Sequence, residues 1–151
     1  MLSAGLIAAG SLPAQGPSIA RELRIDAIAA RHTALEAGAS VILPGGVYAR
    51  TSVTAAAGLA NRNPTSAPVG RVEVVSRFLL DPLRESRYGL SVGGGLGVTN
   101  LVSGPRWQPY LACVFDLELK RRGSMTPAIQ LGLGGGARLG VALRSGSERW
   151  R

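Results

Sequence analysis

The sequence is poor in the residues that most enzyme and metal chemistry requires. Its single cysteine, Cys113, excludes an intramolecular disulfide framework and any metal site built from four cysteines. With Leu111, Phe115 and Leu117 at alternate positions around it, Cys113 is expected to be buried apolar filler. Its single histidine, His32, excludes a histidine pair for metal and leaves any Ser, His and Asp triad only one position to be built around. No nucleophile elbow accompanies it.

Lysine is nearly missing as well, so the net charge of +8 comes almost wholly from arginine, with Lys120 the one exception. Such a balance can signal nucleic acid. The arginines are spread along the chain, however, with no recognition helix, zinc spacing or ribonucleoprotein motif, so no nucleic-acid partner is expected. Gly132, Gly134 and Ala137 match a dinucleotide fingerprint as a string, but too little chain follows them to complete a strand, helix and strand unit. A glycine turn or kink in a β-ribbon is the better reading, and no cofactor is expected.

Aromatic residues make up only 5% of the chain and no apolar stretch approaches the roughly 20 residues a membrane helix needs. An uncharged apolar run, Leu2 to Leu12, precedes Pro13, Ala14 and Gln15, and reads as a short export segment cleaved after Ala14. Residues 1–14 are therefore assigned to export and 15–151 to one domain.

What the chain does have is a period of two, the side-chain period of a strand. Arg71, Glu73 and Arg77 alternate with Val72, Val74, Phe78 and Leu80. Asp116, Glu118 and Lys120 alternate with Phe115, Leu117 and Leu119. Arg24 and Asp26 alternate with Leu23, Ile25 and Ala27; Glu36 and Ser40 with Leu35, Ala37, Ala39 and Val41; and Tyr48, Arg50, Ser52 and Thr54 with Val47, Ala49, Thr51 and Val53. Turn chemistry separates these segments at Pro44 to Gly46, Asn61 to Pro68, Asp81 to Arg87, Ser103 to Pro109 and Arg121 to Ser124. Strands are predicted near 22–31, 34–43, 47–60, 69–80, 87–100, 109–120, 126–134 and 137–145, the last two divided at Gly134 to Gly136 or else joined by a glycine kink. The expected fold is all-β, an antiparallel up-and-down barrel of about eight strands that crosses a membrane. An even count puts both chain ends on one side, with short turns at Pro44 to Gly46 and Asp81 to Arg87 there and longer loops opposite.

Alternation does not say which face is inside. Glycine does: Gly89, Gly93, Gly95 and Gly97 share a face with Ser91 and Thr99 in the fifth strand. Facing water they would weaken the strand to no purpose, whereas inside a narrow barrel they leave room for arginines from other strands. The polar face is therefore expected to point inward. Arg24, Asp26, Glu36, Arg50, Arg71, Glu73, Arg77, Asp116, Glu118 and Arg138, with Lys120 and Arg144, would then line the lumen as interleaved cations and anions. The pair Asp116 and Glu118 has a spacing able to hold a proton or an ion, but pairing with arginine explains it more simply.

From Leu23 to Ser145 this pattern resembles the small bacterial outer-membrane β-barrels, including eight-stranded members with a filled, charge-lined interior. The resemblance implies residence in the outer membrane, with membrane lipids and the outer-membrane insertion machinery as partners. It also implies a structural or narrow-pore role. Tyr48, Phe78, Tyr88, Trp107, Tyr110 and Phe115 are the aromatics available for the membrane interfaces. Two other readings stay open: a soluble exported barrel that binds a lipid-like molecule, and an outer-surface hydrolase or acyltransferase using His32 at the tip between the first two strands.

Overall fold

The computed structural model describes residues 19–62, 65–81, 88–101, 106–120 and 123–145. The expected export segment and its expected cleavage after Ala14, and the tail from Gly146 on, lie outside them. The described residues form β1 (Ala20–Ala29), β2 (Thr33–Pro44), β3 (Ala49–Asn61), β4 (Ser66–Leu79), β5 (Gly89–Thr99), β6 (Gln108–Glu118), β7 (Met125–Leu133) and β8 (Ala137–Ser145). Each strand pairs antiparallel with the next, and β1 closes the wall against β8 from Arg21↔Ser145 to Ala29↔Ala137. The result is a closed eight-stranded barrel. Closure leaves no strand edge for another chain to pair with.

The local cause is the alternation itself. In β1 every second residue from Ala20 is buried and those between are exposed, and β3, β4, β6 and β8 follow the same pattern. The registers advance about ten residues along the chain in one circuit of the wall, which tilts the strands to about 40° from the barrel axis. Such a narrow barrel needs strong curvature. At Gly93 and Gly95 a Cβ would collide with the backbone carbonyls of Ser76 and Val74 on β4, so glycine is what allows β4 and β5 to approach this closely.

The burial is inside out relative to a soluble protein. Leu111 is 75% exposed and Leu23 and Leu96 are each 65% exposed, while Asp26 and Asp116 are 0% exposed. At the end opposite the chain termini the inward residues become apolar: Ile28, Ala34, Ala60 and Val69 pack with Leu101, from the connection after β5, into a buried cluster.

Several sequence expectations need correction. Cys113 is not buried; it lies on the exposed outer face with Leu111 and Phe115, because its parity along β6 is theirs. Lys120 is not in the lumen: β6 ends at Glu118, and Lys120 is exposed beyond it. Tyr48 likewise precedes the first residue of β3 and is 65% exposed. Tyr110 belongs to no interface girdle, since it points inward. The expected asymmetry of the connections is reversed. The longest, 80–88, lies at the end that holds the termini, and the opposite end carries the short connections 30–32, 62–65 and 134–136 beside 100–107. Within the stretch Gly132 to Ala137, residues 134–136 are the turn between β7 and β8, with Gly134, Gly135 and Gly136 all at positive φ (122°, 66° and 134°).

Candidate functional site: the ion-paired lumen

Alternation sends one residue in two toward the axis, and the wall assembles a charged interior from strands far apart in sequence. β1 contributes Glu22, Arg24 and Asp26; β2 Glu36 and Ser40; β3 Arg50, Ser52 and Thr54; β4 Arg71, Glu73 and Arg77. β6 adds Asp116 and Glu118, β7 Gln130, and β8 Arg138 and Arg144. All of these are buried. The buried arginines and the buried carboxylates number six each among the described residues. The lumen is therefore neutral, and the net charge of +8 is carried by strand ends, connections and tails.

Two hubs organise the pairs. Around Arg71, Nε donates to Glu36 Oε2 at 3.0 Å, Nη2 to Asp26 Oδ2 at 2.5 Å and Nη1 to Glu73 Oε2 at 3.3 Å. Glu73 also accepts from Arg138 Nη1 at 2.9 Å and from the Tyr110 hydroxyl at 2.9 Å. Arg24 grips Asp26 with both prongs of its guanidinium, Nε to Oδ2 at 2.8 Å and Nη2 to Oδ1 at 2.9 Å. This bidentate geometry is the strongest form of the pair.

Nearer the termini, Arg144 donates from Nε to Glu22 Oε2 and from Nη1 to Glu118 Oε1, both at 2.6 Å, and its Nη2 lies 2.5 Å from Asp116 Oδ2. Arg50 Nη1 shares the same Glu118 oxygen at 2.6 Å. Gln130 joins the hubs, accepting from Arg24 Nη2 and donating to Asp116 Oδ1 at 3.4 Å. Ser40 links Glu22, at 3.2 Å, to Thr54, at 2.8 Å. Asp116 and Glu118 thus both act as partners of Arg144.

Glycine supplies the space, as the fifth strand suggested. The Tyr110 ring occupies the place a side chain at Gly97 would take, and the Arg138 guanidinium that of a side chain at Gly132. The Asp26 carboxylate does the same at Gly140.

The sequence reading placed Arg24, Asp26, Glu36, Arg50, Arg71, Glu73, Arg77, Asp116, Glu118, Arg138 and Arg144 on one face, and all of them point inward. It missed Glu22, Tyr110 and Gln130. Parity marks the first two: Glu22 is two residues before Arg24, and Tyr110 an even number before Asp116. Gln130 had no charge to draw attention to it. Among the described residues, no cluster of His, Cys, Asp and Glu is placed to hold a metal ion. His32 sits in the connection between β1 and β2, where its carbonyl accepts a hydrogen bond from the Ala30 amide at 3.2 Å.

No protein-family model matches the sequence, and no curated protein matches it. Solved structures do match in shape. Neisserial surface protein A superposes with a TM-score of 0.59 at 9% identity, over 85% of this chain and 95% of that one. The N-terminal β-barrel domain of Pseudomonas aeruginosa OprF gives 0.55 at 12% identity, over 85% and 97%. The chain has the fold of the small outer-membrane β-barrels. A de novo designed transmembrane β-barrel matches equally well, with a TM-score of 0.57 at 10% identity over 86% of this chain and 95% of the design. At such identities the likeness is one of backbone architecture.

Proposed function

We propose that this protein is a small outer-membrane β-barrel with a structural role, a filled cylinder in the bilayer that is neither an enzyme nor an open channel. The observation that carries the proposal is the inverted burial: leucine, isoleucine and valine cover the outer wall while guanidinium and carboxylate groups fill the axis. An outer wall of that kind is stable against hydrocarbon and would drive aggregation in water. Strands of 9 to 14 residues at such a tilt match the thickness of a bilayer core. Membrane lipids are then its surroundings, and the outer-membrane insertion machinery is the partner this reading requires after export.

A filled role is favoured over a pore by the cross-linked lumen and by the apolar cluster around Leu101 at one end. A soluble carrier of lipid-like molecules is disfavoured, because its ligand would meet Asp26, Arg71 and Glu73 where it needs an apolar cavity.

Fractionation of the expressing cells tests the proposal. The protein is expected with outer membranes, to require detergent for extraction, and to migrate differently on gels before and after boiling. Recovery from a periplasmic extract without detergent would refute it.

A further inference from the structure

Arg77 differs from every other arginine of the lumen. Arg24, Arg50, Arg71, Arg138 and Arg144 each make at least one ion pair, and each of the six buried carboxylates is engaged by at least one of those five. Arg77 is as deeply buried, at 2% exposure, yet its Nε and Nη2 have no hydrogen-bond partner among the described residues. Its cross-strand neighbour on β3 is Arg50, a second inward cation in direct register. On the other side its partner is Gly93 on β5, which places no side chain in the lumen. Two like charges directly opposed on one face repel, and a buried guanidinium can neither lose its proton nor leave its N–H groups unsatisfied at small cost.

The two unsatisfied atoms are informative. Nε and Nη2 form the side-on edge of the guanidinium, whose parallel N–H groups match two oxygens of a single oxyanion. Water can accept one such bond but supplies no negative charge. From this geometry we infer an oxyanion site in the lumen, on the side of the barrel that holds the chain termini. Arg77 presents its fork to two oxygens of a phosphate-like or sulfate-like ion, with Arg50 in register beside it on β3. The ligand class is a small tetrahedral inorganic oxyanion. A lipid phosphate carries the same chemistry on a much bulkier group.

The test is anion-dependent stability of the folded barrel in a phosphate-free zwitterionic detergent, at constant ionic strength, with inorganic phosphate or sulfate exchanged for chloride. Binding to the folded state alone raises the unfolding midpoint with ligand concentration. We expect phosphate and sulfate to raise the midpoint in a saturable way, and Arg77→Gln to remove that response while the barrel still folds. Arg77→Lys, which keeps the charge but loses the fork, should respond only weakly. Arg62→Gln, in the connection at the opposite end, should respond as the parent does. A parent midpoint no different in phosphate than in chloride would overturn the inference, showing that water alone serves Arg77. So would a response that survives in Arg77→Gln. Should the glutamine variant fail to fold, the parent's chloride comparison still decides, joined by the Arg77 Nε–H resonance, which must shift on phosphate addition. A shift produced only by short-chain phospholipid and not by inorganic phosphate would overturn the choice of ligand.

Discussion

Arg71 and Val74 stand three residues apart on β4 and face opposite media, so the same substitution logic gives opposite expectations for them. Val74 is 45% exposed on the outer wall between Val53 and Leu96. Val74→Arg is expected to cost about 2–4 kcal/mol of stability in lipid, the penalty for an arginine at the bilayer midplane. Arg71→Met is expected to cost about 3–5 kcal/mol, because it leaves Asp26, Glu36 and Glu73 short of a shared cation inside the lumen. Ser91→Ala should cost under about 1 kcal/mol, since the serine hydroxyl reaches Asp116 only at 3.5 Å. Reversible unfolding in lipid vesicles measures all three, and equal tolerance at Val74 and Ser91 would contradict the orientation. At this scale the inward set was legible wherever charge and parity coincided, as at Arg71, Glu73 and Arg77. Tyr110 was not, because a tyrosine suits both an interface and a lumen, and only the wall shows its hydroxyl at Glu73.

The strands and their turns were legible to within a few residues, and the remaining errors have a common cause. Alternation continues past the strand ends, so Lys120 and Tyr48 kept the parity of a lumen residue although neither lies within a strand. The last stretch was ambiguous between a kink and a turn. Three consecutive positive φ values decide for the turn, and a glycine of this turn can be set against one of the connection between β2 and β3. Gly46, at φ 93°, has open space around a Cβ, so Gly46→Ala should cost about 1–2 kcal/mol from backbone strain alone. Gly136→Ala should cost more, because at φ 134° its Cβ would also press to 2.8 Å from that of Ala30. Equilibrium unfolding of the two variants side by side would show the difference; equal losses would mean that β1 yields at Ala30.

For the whole molecule, a closed wall around a neutral ion network with an apolar cluster at one end implies a barrel that passes no current. In planar bilayers the purified protein is expected to show no conductance steps, and regular steps would mean that the network or the Leu101 cluster opens. The amino-acid sequence by itself determined the all-β class, most of the turn positions and the division of each strand into two faces, because a period of two is a local property that each segment carries alone. The tertiary structure decided which carboxylate meets which guanidinium, where the apolar cluster falls and which arginine is left without an ion pair among the described residues. Those outcomes depend on the stagger with which β8 returns to β1, a quantity that belongs to the closed wall and that no single strand contains.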